Sequence, residues 1–448
     1  MKTKTFLPVV LFFNFIFVLS VSLAFAVPPP PQYIQFSPSA TKGALYYPDP
    51  ALFPSPHIAF IFMHRNANFL SHPGTSELPK RGFVVLGMNP RCDNNEAACR
   101  PWENDALDVR SGVNFLRSLP GITKVILVGH SGGGPTMSFY QAVSEKGVSF
   151  CQDPNKLVKC ANNLAGLPAA DGMVLLDAHP GNGVNALRSL NPAVTNNSAV
   201  LNRNATPQIK PALDPFSPKN GFNPDGASTY SDKFKQTYFK EQSERMNFLI
   251  EDALHKMNQI EAGTYKYTDD DAFIVPRGDG ARLMSGDLSI HHGTVQPRAL
   301  LKNDGTIATC CIVETVRVPA LDLEANQEFG SGTIFLTLRS FLSVRAIRSN
   351  DSMDDIDWCS SNNSTPCNLQ NVSIPLLVMA MGGGPFIRDS EIFFDMAVSA
   401  DKEFVVVEGA THGLDNCTEC AAFHGTGPYT NVPLNLWNQV AAWTNARF

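Results

Sequence analysis

The chain of 448 residues is short of charge, with 17% charged side chains, and it has no basic excess: 35 Lys and Arg stand against 41 Asp and Glu, a net charge of −6. No basic excess is available to neutralise a phosphate backbone, which argues against nucleic acid as a partner. Beyond the N-terminus, no apolar run is long enough to span a bilayer. A dinucleotide fingerprint and a phosphate loop are both missing, and there are no internal repeats, so neither a cofactor nor a repeat architecture is expected. Cys417-Thr-Glu-Cys420 has no second Cys or His pair at structural-zinc spacing, and Asp269-Asp270-Asp271 lacks the spacing of a calcium loop, so no metal is expected. Arg277-Gly278-Asp279 reads as a turn.

What is present is globular. Hydrophobic residues make up 44% of the chain, and 30 of them are Phe, enough for a large core. The length suits one large domain with an insertion, or two domains. The first 26 residues read as a secretory signal peptide. Lys2 and Lys4 precede the almost wholly apolar stretch 6–25, and Ala24-Phe25-Ala26 is a small-x-small cleavage site. An uncleaved N-terminal anchor is the alternative. Removal of Lys2 and Lys4 takes the net charge from −6 to −8.

An exported chain makes disulfides plausible. Four cysteine pairs are close in sequence, Cys92/Cys99, Cys151/Cys160, Cys359/Cys367 and Cys417/Cys420, with Cys310 and Cys311 left side by side. Sequence leaves the connectivity open. Asn-x-Ser/Thr sequons stand at Asn196, Asn204, Asn350, Asn362, Asn363, Asn371 and Asn416, which makes a glycoprotein the expectation where the host pathway glycosylates.

Short apolar runs alternate with helical spacing along the first part of the chain. Ile58–Met63, Gly82–Gly87, Lys124–Gly129 and Gly172–Asp177 read as strands, and Asp105–Leu119 and the stretch up to Val143 as helices. Apolar strands buried on both faces and separated by helices imply a parallel α/β sheet. The rhythm stops from about 182 to 371, a stretch of some 190 residues rich in Asn, Pro and Ser. Within it, Tyr230–Ala262 reads as a long helix and Arg298–Val318 as a hairpin around Asn303-Asp304-Gly305, while Ser331–Arg348 fits strand or helix. The rhythm resumes with a strand at Ile374–Met379, a helix at 390–400, a strand at Phe404–Val407 and a last helix at Pro433–Arg447. The expected organisation is therefore 1–26 signal peptide, 27–181 first part of the core, 182–371 cap insertion, and 372–448 second part of the core.

The strongest local signal is Gly129-His130-Ser131-Gly132-Gly133, a G-x-S-x-G pattern directly after a predicted strand and before a predicted helix. The turn is so sharp that residues two before and two after Ser131 must lack bulk, and it projects the serine Oγ above the sheet at a helix N-terminus. In these residues the chain resembles the α/β-hydrolase superfamily, over roughly 58–180 and 374–448. The resemblance implies a mostly parallel sheet flanked by helices, here with a large cap between the third-last and second-last core strands. It also implies a serine hydrolase of the secreted esterase or lipase type.

The superfamily order of nucleophile, acid and histidine points to His412, in Gly409-Ala410-Thr411-His412-Gly413 after the last strand. The usual acid position falls near Gly384, which has no carboxylate. Asp177, in Asp177-Ala178-His179-Pro180 at the end of the preceding strand, is the first choice, in the manner of pancreatic-type lipases, with Asp389 and Glu391 as alternatives. The oxyanion would meet the backbone N–H of Gly132 and that of Arg65 or Asn66 in the loop 64–68, where many relatives carry His-Gly. Arg65 is either an anion-binding side chain or half of a structural ion pair. The implied reaction is hydrolysis of a small or polymeric carboxylic ester. Amide, peptide or lactone cleavage on the same residues, a cofactor-free dioxygenase or lyase, and a non-catalytic binding protein are the rivals.

Overall fold

A computed structural model describes residues 28–37, 39–99, 101–195, 208–320 and 332–448. The expected signal peptide and the sequons at Asn196 and Asn204 lie outside them. A central sheet of ten strands organises the chain, in the order β1-β2-β4-β3-β5-β6-β13-β14-β8-β9. Its strands are β1 Gln32–Gln35, β2 Lys42–Tyr46, β3 Ile58–Met63, β4 Val84–Asn89, β5 Lys124–His130, β6 Gly172–Leu176, β8 Arg298–Leu301, β9 Ile307–Cys311, β13 Leu376–Met381 and β14 Lys402–Val407. Two small antiparallel pairs lie apart, β7 Ala272–Val275 with β10 Ile334–Thr337, and β11 Ser349–Asp351 with β12 Asp355–Ile356. From β4 through β3, β5, β6, β13 and β14 to β8 every neighbour is parallel, while β1, β2 and β9 pair antiparallel at the two edges.

Alternation along each strand loads both faces of the sheet. In β3, Ala59, Ile61 and Met63 join a core with the helices Asp105–Ser118 and Gly133–Lys146. Ile58, Phe60 and Phe62 point the other way, into a core closed by Leu436, Trp437 and Val440 of the C-terminal helix Val432–Asn445. All six residues of β3 are buried, as a parallel strand covered on both sides requires.

The stretch expected as one insertion is not uniform. The helix Asn182–Ser189, the long helix Asp232–Glu261 and strands β7 and β10 bury a third apolar cluster, with Leu187, Leu249, Ile250, Ala253, Phe273 and Phe341 inside it. Ser231 caps the long helix, its side chain accepting from the Phe234 N–H. The hairpin β8–β9 instead joins the main sheet, Val405–Val407 of β14 pairing with Ala299–Leu301, so the edge of β14 is covered rather than exposed. Residues 334–345 hold both predicted states in succession, β10 and then a short helical run from Leu338 to Arg345.

The four sequence-local cysteine pairs are disulfides: Cys92–Cys99, Cys151–Cys160, Cys359–Cys367 and Cys417–Cys420. Cys311 lies on β9. The sequons Asn362 and Asn363 are 2% and 0% exposed, so the folded chain offers neither to a glycosyl donor, whereas Asn350 is exposed. No helix among the described residues is long and apolar enough to cross a membrane.

Candidate active site

Ser131 sits between β5 and the helix Gly133–Lys146 with φ at +57°. A non-glycine residue held there is strained. The flanking glycines are required by backbone approach. A Cβ on Gly129 would lie 2.8 Å from Gly134 Cα, and one on Gly133 2.8 Å from the Met63 carbonyl oxygen.

The serine Oγ is 3.0 Å from His412 Nε2, and His412 Nδ1 donates to Asp177 Oδ2 at 2.7 Å. Each group comes from a different strand end: Ser131 follows β5, Asp177 follows β6, and His412 lies in the loop after β14. The Asp177 carboxylate is fully buried and accepts a second hydrogen bond, from the Met381 N–H at 3.1 Å. Gly384, at the position where the superfamily usually carries its acid, makes room for it, since a Cβ there would stand 2.7 Å from Asp177 Oδ2.

The other two acids are engaged elsewhere. Asp389 forms a buried ion pair with Arg188, 2.8 Å from its guanidinium, with both side chains 2% exposed or less. Glu391 accepts from the backbone of Val295 and Gln296 and pairs with Arg298 and Arg388, anchoring the start of the β8 hairpin. Removing one partner of a buried pair strands the other charge, so Asp389→Asn is expected to destabilise the fold by about 3–5 kcal/mol. Chemical denaturation measures this, and kcat per folded molecule is expected to stay within about threefold of wild type.

The Arg65 side chain points away from the serine. It is buried against Glu96, 2.7 Å away, and Glu96 also binds Arg345 at 2.6 Å. Of the two anticipated roles it has the structural one, and it presents no charge to a substrate. Burial works against the Glu96 carboxylate, but the Arg65 and Arg345 guanidiniums outweigh it and hold its pKa down to about 2. The folded value lies below the unfolded one. This group therefore stabilises the fold above about pH 4.5, and that contribution disappears as pH falls from there towards 2. Urea midpoints against pH for wild type and Glu96→Gln are expected to diverge above pH 4.5 and to converge near pH 2.

Four further histidines surround the pair, none of them assigned a catalytic part from sequence. His179 Nε2 is also 3.0 Å from Ser131 Oγ. Its Nδ1 faces Asn182 Oδ1 at 3.2 Å, and Asn182 is oriented by donating from both its backbone N–H and its side-chain amide to Asn363 Oδ1. The His179 proton therefore sits on Nδ1, and its Nε2 is a second acceptor for the serine hydroxyl. His72 and His130 form a directed chain. The Gly74 N–H donates to His72 Nδ1, His72 Nε2 donates to His130 Nδ1 at 2.9 Å, and His130 Nε2 donates to the His412 carbonyl at 2.8 Å. Burial, with charge on His412 adding to it, lowers the His130 pKa to about 3, and burial also drives His72 and His179 well below the ordinary histidine range. The Phe386 ring packs against His179 and His412, at 4.9 and 5.6 Å between centroids. A signal for His179 was available, since it lies two residues beyond the candidate acid, but only the turn after β6 brings it back to the serine.

Asn66 donates its backbone N–H to His64 Nδ1 at 3.1 Å, so one of the two anticipated oxyanion amides is already engaged. Among the described residues the one grouping of metal-ligating side chains is Cys92, Cys99 and Asp105, and its two sulfurs are joined to each other.

The strand order, the antiparallel β2, the sharp Ser131 turn after β5 and the loops after β6 and β14 together define the α/β-hydrolase fold. No family model and no curated protein matches the chain. Among solved structures it is similar to DcsB in complex with its substrate analogue, at TM-score 0.45 and 11% identity over 93% of this chain and 100% of that one. It is similar to Est1E from Butyrivibrio proteoclasticus at 0.42 and 9% over 94% and 99%. It is similar to a soluble variant of monoglyceride lipase from Saccharomyces cerevisiae at 0.40 and 12% over 94% and 96%.

Proposed function

We propose that this protein is a secreted serine hydrolase that cleaves carboxylic esters by acyl transfer. The observation that carries this reading is the continuous hydrogen-bonded line from buried Asp177 through His412 to the strained Ser131. Ser131 Oγ attacks the ester carbonyl carbon as His412 Nε2 takes its proton. Asp177 holds His412 in the tautomer that leaves Nε2 free to accept, and it stabilises the imidazolium that forms. The N–H of Gly132 and a donor from the loop 64–68 receive the oxyanion. His412 then returns the proton to the leaving alcohol. Water, deprotonated by the same imidazole, releases the acid and restores Ser131. The four disulfides support an oxidising destination. The stretch 182–371, apart from its hairpin, is read as the cap over the cleft.

The test is a chain-length series of p-nitrophenyl esters on wild type and Ser131→Ala, with lactone and peptide substrates alongside and a fluorophosphonate probe on both proteins. Ester turnover and labelling that both need Ser131 are expected. Folded wild-type protein that takes no label at Ser131 sinks the reading and favours a binding protein on this fold. Turnover without a covalent adduct favours the lyase or dioxygenase chemistry.

A further inference from the structure

The loop after β3 turns on one imidazole. His64 Nδ1 accepts from the backbone N–H of Asn66 at 3.1 Å and of Ala67 at 2.9 Å. Two donors converge on that nitrogen, so it carries no proton, and the ring proton of neutral His64 is on Nε2. The ring is 5% exposed, and burial, with the Arg65 charge beside it, lowers its pKa well below the usual histidine range. The ring packs against Phe69, with centroids 5.1 Å apart. Its Nε2 has no hydrogen-bond partner among the described residues and is aimed at the nucleophile turn, 2.6 Å from where a Cβ on Gly132 would stand.

An N–H with a fixed tautomer and no protein partner among the described residues, beside the backbone amide that follows the nucleophile, is the arrangement that stabilises developing negative charge. We infer that the Nε2–H of His64 is the second donor of the oxyanion hole, acting with the Gly132 N–H. The Asn66 amide serves to set the imidazole rather than to bind the oxyanion. In the step concerned, Ser131 Oγ bonds to the carbonyl carbon, the carbonyl π pair moves onto oxygen, and that oxyanion accepts from Gly132 N and His64 Nε2. No proton is transferred from His64. The inference rests on the serine-hydrolase reading above.

Two substitutions separate this role from loop anchoring. Asparagine at 64 keeps an acceptor near the Nδ1 position for the Asn66 and Ala67 amides but removes the Nε2 donor. Glutamine carries an N–H near the Nε2 position. His64→Asn is expected to lower kcat for a p-nitrophenyl ester by about 10²–10³-fold with KM within about threefold, since the contact exists only after charge develops. Affinity for a trifluoromethyl ketone, which binds as a tetrahedral oxyanion, is expected to fall by a similar factor. His64→Gln is expected to recover at least tenfold of the loss in kcat.

If His64→Asn keeps wild-type kcat and ketone affinity, the inference is overturned in favour of the Arg65 amide. If His64→Gln falls as far as His64→Asn, an N–H at the Nε2 position does not restore the rate, and the inference is again overturned. Wild type that shows neither Ser131-dependent turnover nor fluorophosphonate labelling fails the underlying reading first, and the assignment with it.

Discussion

Ser131→Ala is expected to lower kcat on an activated ester by about 10⁶-fold, the largest effect any single substitution here should produce. Nothing else in the site can replace Ser131 as the proposed nucleophile. Both imidazole Nε2 atoms that face Oγ, those of His412 and His179, are acceptors that lose their donor together. The residual rate should come from binding and oxyanion contacts alone. Stability should scarcely change, because alanine at φ +57° is strained much as serine is and the hydroxyl fills no apolar contact. Stopped-assay kinetics on the purified variant, with a melting curve beside it, measure both. A variant within tenfold of wild type would remove Ser131 from the mechanism.

The second large effect is Asp177→Asn, expected to reduce kcat by about 10⁴-fold with KM little altered. The reason lies in the second hydrogen bond of the carboxylate. The Met381 N–H already donates to one carboxylate oxygen, so an asparagine must keep its carbonyl oxygen there and turn its NH₂ towards His412 Nδ1. That forces the His412 proton onto Nε2, where it can only donate to Ser131 and cannot receive the hydroxyl proton. Asp389→Asn provides the contrast. Asp389 lies in a buried ion pair with Arg188, so its loss is expected to cost stability and not turnover. If Asp177→Asn turns over like wild type while Asp389→Asn does not, the acid has been misassigned. Glu391→Gln should leave kcat unchanged and loosen the hairpin that its carboxylate anchors at Val295 and Gln296.

Several parts of this molecule are readable without coordinates because neighbours in the chain cause them. Gly129 precedes Ser131 because the turn brings the Gly134 Cα and the Gly133 carbonyl oxygen within 2.8–3.0 Å of its missing side chain. Core strands such as β3 and β13 announce themselves because burial on both faces leaves no polar positions within them. The long helix is legible from its apolar stripe, of which Tyr238, Leu249, Ala253, Met257 and Ile260 are buried.

Other features have no local cause. Three carboxylates compete on paper to meet His412, and what separates them is where β6 and β13 end relative to the loop after β14, which depends on sheet order. Gly384 and Asp177 meet across adjacent strands, and neither position alone announces that a carboxylate from one fills the space left by the other. The hairpin within the expected insertion could equally have packed on a cap, and it joins the sheet because β14 would otherwise be an open edge. The buried sequons Asn362 and Asn363 match the glycosylation pattern but are withdrawn from solvent by the packing around Asn182 and Glu103.

By itself, then, the sequence determined the parallel α/β core, the nucleophile turn and the histidine loop, because each is a steric or periodic property of a few consecutive residues. Only the tertiary structure decided the partner of His412, the inward turn of His179 and His64, and the structural role of Arg65. Those depend on distances between strand ends and on which hydrogen bonds are already taken, and neither quantity exists until the sheet has closed around them.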